Sequence, residues 1–143
     1  SDQKIPEGNF VTPDGKILGR HKGIIHYTIG QRKGLGLSLG YPAFVLEIRP
    51  DTNEVVIGTN EDLMTTRVRA NKLNFMTVED LEGEMRVFAK IRYNHKGDWC
   101  TVRKTGEDEI ECIFETPQRA VTPGQALVLY DGDYVLGGGT ILG

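Results

Sequence analysis

Apolar and polar positions alternate with a period of two along much of this chain, in short runs separated by clusters of turn residues, a pattern that predicts strands. The run from Met85 to Tyr93 is the clearest: Met85, Val87, Ala89 and Ile91 share one face and Arg86, Phe88, Lys90 and Arg92 the other, as in a half-buried strand. Further strands are expected at Trp99–Lys104, Glu109–Glu115, Ala126–Tyr130 and Tyr134–Leu142. Their punctuation is Asn94–Asp98, Thr105-Gly106, Thr116-Pro117, Pro123-Gly124 and Asp131-Gly132. Strands this short at this spacing imply a small antiparallel barrel or sandwich, and Asp131-Gly132 reads as a type I′ hairpin turn.

The first half is organised differently. Asn9 to Arg20 forms a hairpin around Pro13-Asp14-Gly15, where Pro presets φ, Asp caps the turn and Gly accepts positive φ. A second hairpin joins Ala43–Arg49 to Glu54–Thr59 through Pro50-Asp51-Thr52-Asn53, with Phe44, Leu46 and Ile48 on one side and Val45, Glu47 and Arg49 on the other. Between the hairpins, HKGIIHYTIGQRKGLGL carries Gly23, Gly30, Gly34 and Gly36. That density suits one short helical turn and a loop. A third extended run, Met64–Phe75, is expected to close this half, and the acidic stretch MTVEDLEG at 76–83 to mark a junction between domains 1–75 and 76–143. The fold class expected is mainly β: a small β-rich domain with a short helical turn, then a small antiparallel β-barrel.

Composition narrows the class. Of 143 residues 18 are Gly, well above the usual ~7%, so the backbone turns sharply at many places and long helices are not expected. No apolar run approaches the ~20 residues needed to span a bilayer, and the polar N-terminal stretch SDQKIPEGNF has no signal-peptide character. Two cysteines, Cys100 and Cys112, are too few for a disulfide framework or a tetrahedral zinc site. A reducing cytoplasm is the expected compartment.

The net charge of −3 conceals segregation. From Gly15 to Leu46 there are five basic residues and no acid; from Arg86 to Lys104 there are six basic residues against Asp98 alone. The acids cluster at 51–62, 79–84 and 107–115. Such blocks can make one face positive on a mildly acidic protein, which suits a polyanion; they can equally scatter over unrelated surfaces.

Enzymatic constellations are scarce. His21 and His26 are five apart with no Cys or carboxylate between them, a poor zinc pair for which packing, capping or phosphate contact is the better reading. The cysteines fall within expected strands, where a thiol behaves as a small buried hydrophobe. GQRKGLGLSLG offers glycine-freed N–H groups beside Arg32 and Lys33, yet matches neither a Walker A loop nor a dinucleotide fingerprint. Tyr27, Tyr93 and Trp99 lie in or beside the basic stretches, as rings that stack on unpaired bases do; for Trp99, core filling is the preferred reading. Arg92-Tyr93 differs, because it sits where a strand enters the polar loop Asn94-His95-Lys96-Gly97, leaving both side chains able to reach a ligand.

Three stretches together, GRHKGIIHYTIGQRKGLGL (19–37), KIRYNHKG (90–97) and AVTPGQALVLYDGDYVLGGGTI (120–141), resemble the C-terminal part of the bacterial tRNA-specific 2-thiouridylases, and the resemblance covers essentially the whole chain. It implies a three-part enzyme. An N-terminal ATP-pyrophosphatase domain, using ATP with magnesium, adenylates the wobble uridine; a catalytic cysteine carrying persulfide sulfur from a sulfur-relay donor protein then makes 2-thiouridine; a central adaptor domain and a β-barrel hold the tRNA. This sequence matches those last two parts. The SGGxDS phosphate loop and the segments bearing the two catalytic cysteines are not in it, and Cys100 and Cys112 match neither cysteine. The resemblance therefore implies no catalytic residue, metal or cofactor in this piece, and no activity for it alone. The tRNA-contact role carries over to Arg92, Tyr93 and Gln125. Gln31, Arg32 and Lys33 are expected to touch either tRNA or the enzyme's own catalytic domain, the alternative being a docking module without RNA contact. No membrane partner is implied, and no binding signature for S-adenosylmethionine is present.

Overall fold

The computed structural model describes residues 6–75, 81 and 83–143. The acidic stretch 76–83, read from sequence as the junction, lies mostly outside the described residues. Two compact units divide at Met64/Thr65, and among the described residues no helix is long and apolar enough to cross a membrane.

The first unit is a four-stranded sheet. β1 (Gly8–Val11) and β2 (Ile17–His21) form the expected first hairpin, β3 (Phe44–Arg49) and β4 (Glu54–Gly58) the second, and the order β2-β1-β4-β3 sets β1 parallel to β4. The first turn closes as its sequence demands: Gly15 N–H donates to the Thr12 carbonyl at 2.9 Å, Gly15 has φ 91°, and the Thr12 hydroxyl donates to Asp14. Residues 24–26 make a single 3-10 turn inside the glycine-rich segment. Beyond it the loop returns to the sheet, with Gly30 N–H donating to Val45 O and Val45 N–H to Gln31 O. Leu35 is buried, and Leu37 and Leu39 pack on Phe10, Val45, Val55 and Ile57. The loop is thus a lid on the core, held by its leucines between glycines that turn the chain.

The alternation expected in β3 does not hold. A bulge between Val45 and Glu47 shifts the register, so that Val45 pairs with Ile57 and Glu47 with Val56. One extra residue reverses the face of everything beyond it; Val45 and Ile48, of opposite parity, therefore join the same core.

In the second unit six strands close a barrel in the order β10-β5-β8-β7-β6-β9. These are β5 (Met64–Phe75), β6 (Glu84–Lys90), β7 (Asp98–Gly106), β8 (Glu109–Arg119), β9 (Ala126–Asp131) and β10 (Tyr134–Ile141). Its interior is filled by Val68, Val87, Ala89, Ile91, Cys100, Val102, Ile110, Phe114, Leu127, Leu129 and their neighbours. β5 lies between β10 and β8. The division therefore falls about eleven residues before the boundary expected after Phe75, because a closed barrel removes its edges only if this strand is included.

Other local expectations shift as well. β8 continues through Thr116-Pro117, expected as a turn. The register Cys100–Phe114 sets Thr116 opposite Asp98, the first residue of β7, so Pro117 lies beyond that ladder and its missing N–H costs no bond to β7. Tyr134 pairs with Asp131, making Gly132-Asp133 the two-residue loop. Gly132 has φ 57° and Asp133 is not among the residues with positive φ, which fits type II′, with glycine first, rather than the expected I′. Met85 is 44% exposed despite its parity with Val87.

Candidate nucleic-acid interface on the barrel surface

β6 presents alternate side chains outward, and its register with β9 pairs Phe88 with Tyr130 and Lys90 with Val128. Just past the strand end, Arg92 and Tyr93 extend the same outer surface. The Thr122–Gln125 turn closes it, with Gln125 N–H donating to Thr122 O at 3.2 Å and Gln125 O accepting from Ile141 N–H at 2.9 Å. A cavity of about 290 Å³ results, lined by Lys90, Arg92, Tyr93, Gln125, Ala126, Val128 and Tyr130. Arg92, Tyr93 and Gln125, the three residues to which the family resemblance carries a tRNA contact, thus line one cavity.

Arg92 is oriented by backbone. Its guanidinium donates to the Arg119 carbonyl at 3.1 Å and the Ala120 carbonyl at 3.5 Å; Ala120, at φ 56°, also accepts from the Thr122 hydroxyl at 2.9 Å. A guanidinium carries five donors, so this anchoring leaves others for an anion. Tyr93 is 97% exposed and offers its ring to solvent. Lys90 Nζ stands 5.4 Å from the centre of the Tyr130 ring, a cation–π contact that fixes the ammonium at the cavity wall. Lys90 and Tyr130 were not singled out in advance. For Lys90 the signal was present, since it shares the strand parity of Arg92; Tyr130 required the β6–β9 pairing.

Trp99 does not fill the core. It is 40% exposed on the barrel surface, edge-on to Phe88 at 5.5 Å and covered by the Arg86 guanidinium at 4.1 Å. Arg86 in turn holds Glu115 through two hydrogen bonds. The parity of Phe88 and Arg86, both outward, brings this cluster together outside rather than inside.

The glycine-rich loop of the first unit is separate chemistry. Gln31 uses both ends of its amide within the loop, accepting from Thr28 N–H at 3.0 Å and donating to Lys33 O at 2.9 Å. Arg32 is exposed, its guanidinium 6.0 Å from the Phe44 ring centre, and lines a shallow cavity with Leu35, Leu37 and Tyr41. Lys33 is exposed.

His21 is buried: Nδ1 accepts from Gly23 N–H at 2.9 Å and Nε2 donates to Asn53 O at 2.7 Å. It packs edge-on against Phe10 and Tyr27. Packing and local hydrogen bonding occupy it, two of the uses the sequence left open. Cys100 and Cys112 are free and buried, and the hydrogen bond from Cys100, with burial, pushes the Cys112 thiol up, away from nucleophilic thiolate.

The described residues thus form a two-unit β protein that gathers cations, tyrosines and an amide at one cavity on its barrel surface. Residues 65–141 match the family model of the aminomethyltransferase β-barrel domain, and residues 2–59 that of the tRNA methyl transferase PRC-barrel domain. The chain is 69% identical over 140 residues to the tRNA-specific 2-thiouridylase MnmA of Lachnoclostridium phytofermentans, covering 98% of this chain and 39% of that protein. Against the tRNA-specific 2-thiouridylases of Koribacter versatilis and Clostridioides difficile the identities are 53% and 51%, covering 97% and 99% of this chain and 38% and 39% of those proteins. The chain belongs to the bacterial tRNA-specific 2-thiouridylase family and spans about two fifths of the length of these relatives.

Proposed function

We propose that this chain is the tRNA-holding region of a tRNA 2-thiouridylase and that the outer-face cavity of its barrel is an RNA contact. The observation that carries the reading is the meeting of Lys90, Arg92, two tyrosines and Gln125 at one cavity without a carboxylate among the described residues lining it, in a protein of net charge −3. The cations suit phosphate, the exposed Tyr93 ring suits an unstacked base, and Gln125 both donates and accepts toward a sugar or base edge. Arg32 and Lys33 are a second candidate contact, to tRNA or to the catalytic domain; Gln31, engaged within its own loop, supports a structural role there.

In the whole protein, uridine adenylation with ATP and magnesium and transfer of persulfide sulfur from a relay donor belong to the N-terminal part, and this chain alone is inactive. A tRNA substrate sets that work in the cytoplasm. A mobility-shift titration of a tRNA transcript with the 143-residue chain tests the reading. Binding is expected to be weak, to fall linearly in log K with log salt, and to drop about tenfold for Arg92→Ala or Gln125→Ala while Lys104→Ala leaves it unchanged. No binding at low ionic strength, or equal binding by all variants, would overturn it.

A further inference from the structure

The turn that carries Arg92 and Tyr93 is tied to the body of the barrel by an imidazole. Ile91 follows the last residue of β6, and its N–H, rather than pairing in a ladder, donates to His95 Nδ1 at 3.2 Å; His95 N–H donates back to Arg92 O at 3.1 Å. Gln118, a side chain 5% exposed within β8, lies within reach of the His95 ring. The Gln118 amide nitrogen donates to Asp98 Oδ2 at 3.1 Å and Thr116 O at 2.8 Å. Both amide hydrogens are thereby engaged, which leaves Oε1 as the end of Gln118 able to accept from an imidazole N–H. Because Nδ1 accepts from Ile91 N–H, the ring is the neutral Nε2–H tautomer. Arg92 anchors to Arg119 O and Ala120 O, at the end of the strand that bears Gln118, so both ties of the turn lead to β8.

We infer that His95, acting through Gln118 and Asp98, is a positioning residue for the Arg92–Tyr93 RNA contact, and that it holds the turn only as a neutral imidazole. The inference rests on the RNA-binding reading above. A proton on Nδ1 would confront the Ile91 N–H, in a residue only 1% exposed, with a second donor and leave it unpaired. The charged groups facing the ring are Arg92 and Lys90, which oppose the proton, and Asp98, which favours it; burial first and Arg92 next hold the imidazole below its ordinary value of 6.5. The ring is therefore neutral at physiological pH, and acidification through its lowered titration range releases the turn. The direction is diagnostic. Added positive charge ordinarily tightens a protein's hold on RNA, whereas this device loosens it.

The test is a tRNA-transcript titration of the whole chain at constant salt from pH 8 to pH 5, for the wild type, His95→Asn, His95→Leu and Gln118→Leu. Asn can still accept from Ile91 N–H but does not titrate. The wild type should lose about tenfold in affinity toward pH 5, His95→Asn should stay within about threefold of the wild-type pH 8 value throughout, and the two Leu variants should be about tenfold weaker at every pH. Amide exchange of Ile91, followed by NMR without RNA, should show protection lost on acidification in the wild type and kept in His95→Asn. If the wild type binds RNA but its affinity does not fall with acid, or if Ile91 stays protected at pH 5, the positioning role is overturned. If no variant binds RNA at any pH while Ile91 protection follows His95, it is the RNA reading that fails, and the RNA half of the inference fails with it.

Discussion

His21 and Asn53, thirty-two positions apart, meet at 2.7 Å between the imidazole Nε2 and the backbone carbonyl. Asn53 is held for this at φ 55°, and its side-chain amide donates to the carbonyls of Pro6 and Glu7. One buried imidazole thus joins the end of β2 to the β3–β4 turn. His21→Leu leaves Gly23 N–H and Asn53 O without their partner and is expected to cost about 2 kcal/mol. Gly8→Ala should cost at least as much, since its Cβ would fall 2.0 Å from Asn53 O and 2.5 Å from His21 Nε2. Urea unfolding followed by circular dichroism measures both.

Glu111 is a buried carboxylate on β8, bridged by Arg67 and by Arg103 at 3.0 Å. Hydrogen bonding from Arg67 first, then from Arg103, outweighs burial and holds the carboxyl below its ordinary value of 4.5. A carboxyl lowered in the folded state contributes stability above about pH 4.5 that is lost as pH falls through the folded value. Glu111→Gln should therefore be less stable than the wild type by about 2 kcal/mol at pH 7, and the gap should narrow toward pH 3. A gap that is constant with pH would contradict this assignment.

The buried thiols should be inert. Iodoacetamide is expected to label Cys100 and Cys112 at least ~100-fold more slowly in the folded chain than in urea. Fast labelling of either in native buffer, read by mass spectrometry, would show an exposed thiolate that the fold does not provide.

Gly97, at φ 87°, lies under the Phe88 ring; a Cβ there would sit 2.3 Å from Cε1. Gly97→Ala combines a disfavoured φ with displacement of Phe88 from Trp99, and an expected cost of about 2 kcal/mol. Trp99 is the sole tryptophan, so its fluorescence reports the displaced contact directly, before and during unfolding.

What the amino-acid sequence determines by itself is local. Pro13-Asp14-Gly15 and Pro50-Asp51-Thr52-Asn53 set two hairpins because their φ preferences are intrinsic, and Val87, Ala89 and Ile91 declare the inner face of β6 because side chains alternate along any strand. The position of Arg92 and Tyr93 at a strand end was legible in the same way, whereas Gln125 became a candidate only through the family signature. Tertiary structure decided what depends on partners distant in sequence. A bulge beside Leu46 changed which residues of β3 face the core; barrel closure claimed Met64–Phe75 for the second unit; and outward neighbours on β6 drew Trp99 to the surface. It also brought Lys90 and Tyr130 beside Arg92, and Gln118 within reach of His95, 23 positions away. Pairing register and closure are long-range properties of the whole sheet, and no window of sequence contains them.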